Sequence, residues 1–122
     1  MMQLERISGT FGVYKLRPDA PLPSAGFCFT ARTDDETSLV CRVEDAPPFA
    51  LAAQEGWACL RVAGQLDFSL VGILSRLTGV LAQAGIPVFA VSTYDTDYLL
   101  VDEAALPRAS AAFAAAGIPI AE

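Results

Sequence analysis

Apolar and polar positions along the chain change period several times, and each change marks an element. Gln3 to Ile7 alternates weakly, and Thr10 to Leu16 is rich in β formers. Arg17 to Ser24 holds Pro18, Pro21 and Pro23, which predicts a loop with at most one helical turn. Phe27 to Arg32 and Thr37 to Val43 read as two strands joined by the polar turn Thr33-Asp34-Asp35-Glu36. After Pro47-Pro48, the segment from Phe49 to Gln54 reads as a short helix ending at Gly56. Trp57 to Ala63 is a further strand. Val71 to Ala84 places Ile73, Leu74, Leu77, Leu81 and Ala84 on one helical face, with Gly85 as its stop. Val88 to Ser92 and Tyr98 to Val101 are strands around the polar turn Thr93 to Asp97. Pro107 opens a second helix running to about Ala116, and Ile118 to Ala121 allows one last strand.

The second half is therefore ordered βαββαβ, the split βαβ arrangement of ferredoxin-like sheets. Its two helices should cover one face of an antiparallel sheet. The other face should be covered too, because Val88 to Val91 is apolar at every position. The first half resembles the second. Gly9 to Leu16 aligns with Gly56 to Ala63 at an offset of 47 residues, and Arg32 to Glu36 aligns with Ser92 to Thr96 at an offset of 60. The first half is thus 13 residues short where the second has its first long helix. The expected architecture is α+β, with a truncated unit at 1–55 and a complete one at 56–122.

Composition narrows the function. Hydrophobic residues make up 53% of the 122 and charged residues 18%, so a filled core is expected. The net charge of −6, with eight scattered basic residues, argues against a nucleic-acid partner. No run is apolar enough to span a membrane, and the N-terminus does not read as a signal peptide, so a cytoplasmic location is expected. Cys28, Cys41 and Cys59 lie in apolar strand patterns without metal-site spacing and read as buried thiols. The chain has no histidine and a single lysine, Lys15. The usual general base, zinc ligand and nucleophile–histidine pairs are all missing, so neither an enzyme nor a cofactor is expected. Asp34-Asp35-Glu36 reads as a solvated turn, since no glycine or spaced oxygen ligands follow.

The stretch Leu66 to Leu74, followed by Gly85 to Val101, resembles a bacterial family of short tandem ACT-domain proteins. It is also similar to the ACT repeats of the CASTOR arginine sensors and, more remotely, to the regulatory tail of aspartate kinases. The resemblance implies a ferredoxin-like unit that binds a small ligand at an interface between units. It points to Asp67, Phe68, Ser69, Leu70, Val71 and Gly72 before the first helix, and to Thr93, Tyr94 and Asp97 after the following strand. Leu70 departs from the acid the arginine sensors carry there, and Val71 from a hydroxyl residue.

The residue types give these turns a chemistry of their own. Ser69 can cap a helix starting near Leu70, whose free N–H groups and positive dipole end suit a carboxylate. Asp97 can pair with an ammonium group, and Tyr94 offers a flat wall. Each also has a plain structural reading. On that reading Ser69 is only a cap, Asp95 and Asp97 are turn formers, and Tyr94 and Tyr98 are packing residues. The expected function is a non-catalytic regulatory module that binds an amino acid, forms a homodimer and acts through a separate effector protein. The alternative is an interaction module that has lost its ligand.

Overall fold

The computed structural model describes residues 2–22, 24, 26–63 and 71–121. Its strands are β1 (Leu4–Leu16), β2 (Cys28–Arg32), β3 (Thr37–Arg42), β4 (Ala52–Val62), β5 (Phe89–Ser92), β6 (Asp97–Asp102) and β7 (Ile120–Ala121). Two α-helices, α1 (Ile73–Gln83) and α2 (Leu106–Ala115), fall among the described residues. The chain divides into two compact units, one of Met1–Ser8 with Ala58–Glu122 and one of Gly9–Trp57. β1 and β4 lend residues to both. Each carries a glycine in the left-handed region near its passage between units, Gly9 at φ 101° and Gly56 at φ 91°. A residue with a Cβ enters that region only at a cost.

The helical unit orders its strands β5-β6-β4-β1, and β7 pairs with the first residues of β1. The β1–β7 ladder is parallel, Leu4 opposite Ile120, whereas β5 and β6 are antiparallel. The start of β1 therefore stands beside β4, where a simple βαββαβ sheet would place the last strand. Leu4, Ala58, Leu60, Val62, Leu99 and Val101 face the helices, which return Leu77, Leu81, Ala109 and Phe113 into one core. Leu77 and Leu81 stand one turn apart, with Ile73, Leu74, Val80 and Ala84 packed alongside. Leu77 and Leu81 are fully buried, which is worth about 1.5–3 kcal/mol each. α2 follows a single 3₁₀ turn, Glu103–Ala105, whose first free N–H, on Ala104, donates to Asp102 Oδ1 at 2.9 Å. Pro107 lies in the first turn of α2, where its missing N–H costs nothing.

The strand unit orders its members β2-β3-β1-β4. Tyr14, Leu16, Ala20, Leu39 and Cys41 form its core on one sheet face. On the other face Phe11, Phe27 and Phe29 meet edge to face at 5.6 and 5.5 Å, and the Arg42 guanidinium lies over Phe11 and Phe27. The proline-rich segment after β1 is fastened by hydrogen bonds rather than by an apolar stripe. Arg32 donates to the Pro18 and Ala20 carbonyls, and Thr37 Oγ1 donates to Pro18 at 3.1 Å.

Two expected elements are corrected. The helix expected from Phe49 to Gln54 is not formed: Phe49 lies in a turn and Ala52 already belongs to β4. The Leu51 N–H donates to the Lys15 carbonyl at 2.8 Å, which draws the chain alongside β1, and six residues are too few to offset helix nucleation. The first helix starts at Ile73, not at Val71 or near Leu70. Gly72, at φ 83°, is its N-cap, and that left-handed backbone stops the helix from extending backwards.

Candidate functional site

Within the helical unit, the turn between β5 and β6 is closed by one threonine and anchored by another. The Thr93 N–H donates to the Thr96 carbonyl at 2.9 Å. Thr93 Oγ1 donates to that same carbonyl at 3.0 Å and accepts from the Thr96 N–H at 3.3 Å. Thr96 is buried, and its hydroxyl donates to the Val62 carbonyl at 2.9 Å. Val62 is the last residue of β4, so the turn is tied to the strand end from which the chain proceeds towards α1. Ser92 and Asp97 are register partners at the base of the turn, and Ser92 Oγ donates to Asp97 Oδ1 at 2.6 Å.

Of the residues expected to bind a ligand, Thr93, Tyr94 and Asp97 thus share one tight turn. Tyr94 sits at its tip with 79% of its surface exposed. Val71 and Gly72 stand at the mouth of α1, and Val71 is 93% exposed. Asp67, Phe68, Ser69 and Leu70 lie outside the described residues. The Gly72 carbonyl accepts the first α-helical bond, from the Arg76 N–H at 2.9 Å, and Gly72 supplies no side-chain cap. The N–H groups of the first turn of α1 therefore have no partner within the helix, and they carry the positive end of its dipole.

Sequence reasoning missed Thr96 and Ser92, the residues that hold the turn in place. A second polar group escaped it altogether. On the sheet face away from the helices, Arg61 contacts Glu5 at 3.2 Å. Hydrogen bonding to Tyr98 and then to Glu5 holds the guanidinium above its ordinary range, against the opposing effect of burial. Between α1 and α2 lies an open hollow of about 390 Å³ lined by Val80, Gln83, Ala84, Ala112, Ala115 and Ala116. It offers no charge to an amino acid. No cluster of potential metal ligands occurs among the described residues.

This geometry can be set beside known proteins. Residues 52–115, more than half of the chain, match the family model of the ACT domain. The chain belongs to the ACT domain family. As an ACT-domain protein it is similar, over 98% of its length, to the crystal structure of an Agobacterium tumefaciens protein. The identity is 31%, the TM-score is 0.88, and 92% of that chain is covered. It is also similar to an aspartate kinase from Synechocystis, with a TM-score of 0.69, 18% identity, and coverage of 98% of this chain and 27% of that one. The regulatory subunit of aspartate kinase from Thermus thermophilus, in a ligand-free form, gives a TM-score of 0.59 at 10% identity. There the coverage is 95% of this chain and 97% of that one. At these identities the two kinase likenesses show a shared fold. Among the described residues, no helix of this ACT protein is long and apolar enough to cross a membrane.

Proposed function

We propose that this ACT-domain chain is a regulatory module without catalytic activity, binding an amino acid beside the β5–β6 turn and the start of α1. The observation that carries the reading is the buried Thr96–Val62 hydrogen bond, which ties the turn to the strand end leading towards α1. The ligand's carboxylate would meet the N–H groups of the first turn of α1, into which the expected binding segment Asp67, Phe68, Ser69, Leu70, Val71 and Gly72 leads. Its ammonium would meet Asp97, beside Thr93, and its side chain would lie against the exposed Tyr94 and Val71. The solved regulatory subunit of an aspartate kinase, a similar fold, supports a regulatory role.

Residues 1–55 and 56–122 are read as tandem ACT-like units, the first truncated. Three features support this. Gly9 and Gly56, aligned in sequence, share a left-handed backbone. The Thr33 N–H donates to Glu36 as Thr93 donates to Thr96, with the threonine hydroxyl bonded in the same way in both turns. The Arg32–Thr37 pair stands in register as Ser92–Asp97 does. The protein would act in the cytoplasm as a homodimer and pass its signal to a separate effector protein. Exposed Leu22, Phe49 and Leu51 in the strand unit support an apolar interface.

A thermal-shift screen against the twenty amino acids tests the reading, because a ligand of the native state raises the melting temperature. With the amino acid so found, calorimetry on Asp97→Ala should show a loss of about 2–5 kcal/mol of binding. Equal affinities would leave Asp97 as a turn residue only. A second reading, an interaction module without a ligand, is favoured by the exposure of Val71 and Tyr94, which a protein surface would cover. No response to any amino acid would leave that reading standing.

A further inference from the structure

Cys28 on β2 and Cys41 on β3 are direct register partners in an antiparallel ladder. Side chains at such opposed positions leave the same face of the sheet. Their Cα atoms stand at roughly 4.5–5.5 Å, inside the window of about 4.4–6.8 Å that a disulfide needs. Both belong to the strand-unit core, where Cys41 is fully buried with Tyr14, Leu16 and Leu39, and Cys28 packs half-buried against them. β2 ends the strand order of its unit, so Cys28 lies on an edge strand. The Cys41 thiol is pushed up to about 11, first by burial and then by Asp45, Cys28 and Glu44. The strands beside β4, β1 and β6, carry no cysteine to stand across from Cys59.

We propose that Cys28 and Cys41 are a modification site, closing to a cross-strand disulfide when a hydroperoxide oxidises the partly exposed Cys28. The Cys28 sulfur, giving up its proton, attacks one peroxide oxygen. The O–O bond breaks, the distal oxygen leaves as water (or as the alcohol of an organic hydroperoxide), and Cys28 becomes a sulfenic acid. The Cys41 sulfur then gives up its proton and attacks Cys28 Sγ. The S–S bond forms, the S–O bond breaks, and a second water leaves. Two thiols supply the two electrons that reduce one peroxide. Burial makes Cys41 the resolving partner, since it is shielded from the oxidant but lies directly across the ladder from the sulfur it attacks.

The full chain, treated with hydrogen peroxide and then analysed by intact mass and peptide mapping, tests this. The expected product is a monomer lighter by two hydrogens, with the Cys28 and Cys41 peptides linked and a reductant restoring the starting mass. Cys59→Ala should give the same product, and Cys28→Ala should give none. Cys28→Ala removes a half-buried side chain at an edge, and its circular dichroism should match wild type. Accumulation of a Cys28 sulfinic acid with Cys41 still a thiol would overturn the proposal. A crosslink between chains, or an unreacted Cys28, would do so as well.

Discussion

Gly12 is the position where one added methyl group should do most damage for a reason visible in the structure. It lies on β1 opposite Cys41, two residues before Tyr14 and on the same face of the sheet. A Cβ built there would stand 2.3 Å from Tyr14 Oη, 2.5 Å from Cζ and 2.7 Å from Cε2. Gly12 has no left-handed backbone, so alanine would be accepted by the main chain and refused only by the phenol ring. The ring cannot yield freely. Tyr14 is 2% exposed, packs against Leu16, Ala20, Leu39 and Cys41, and donates to Glu55 Oε2 at 2.7 Å. Forcing a methyl group into such a core costs about 1–3 kcal/mol. Losing the phenol–carboxylate bond adds about 1 kcal/mol, less than the roughly 1.5–3 kcal/mol usual for a charged acceptor because Glu55 is exposed to water. Gly12→Ala should therefore destabilise the protein by about 2–4 kcal/mol, read as a lower urea midpoint at an unchanged slope. In a Tyr14→Leu background the clash is gone, and the same change should cost at most about 0.5 kcal/mol or even stabilise the strand. The double-mutant cycle isolates the difference. Equal costs in both backgrounds would refute the steric argument.

Other outcomes follow from the same structure. Thr96→Val removes the hydroxyl that donates to Val62 and leaves a buried carbonyl unpaired, which should cost about 1–3 kcal/mol, whereas Thr96→Ser should recover most of it in urea unfolding. Gly72→Ala places a Cβ at φ 83° and should cost about 1 kcal/mol in the same assay without lowering the far-ultraviolet helix signal at low temperature. The Cys41 thiol is raised from an ordinary 9.0 to about 11, chiefly by burial, and the Tyr14 phenol is raised by burial and by Glu55. Both are neutral when protonated, so the folded state holds these protons longer than the unfolded chain. The stability Cys41 contributes is complete below about pH 9 and is lost as pH rises through 11, by about 2–3 kcal/mol, whereas the contribution of Tyr14 is complete below about pH 10 and is lost only in stronger alkali. Urea midpoints at pH 7.5 and 10.5 should show the decline, and Cys41→Ala should reduce it.

Much of the fold was legible because local pattern and packing agreed. The periodicity of Ile73, Leu74, Leu77 and Leu81 marked α1, and Pro107 marked α2. What failed depended on partners distant in sequence. Ala52 to Glu55 has the composition of a helix but becomes strand, because Leu51 is drawn to Lys15. The start of α1 turned on one backbone angle at Gly72, which no hydrophobic period reports. The intrusion of β1 beside β4 is a matter of long-range pairing. At the site, Thr93, Tyr94 and Asp97 were legible as a turn, while the anchoring role of Thr96 required knowing that Val62 ends beside it. The Cys28–Cys41 pair was within reach of counting, since the tight turn at Thr33–Glu36 sets Arg32 opposite Thr37 and every pair behind it.

Amide chemical shifts report whether an amino acid binds at the β5–β6 turn and the mouth of α1. The protein, labelled with nitrogen-15, is titrated with the amino acid that most raises its melting temperature. Binding at that site should give saturable shifts at Val71, Gly72, Ile73, Thr93, Tyr94 and Asp97, with the Thr33–Glu36 turn of the strand unit unmoved. Shifts confined to the α1–α2 hollow at Val80, Ala84 and Ala112, or none at Thr93 and Asp97, would contradict it.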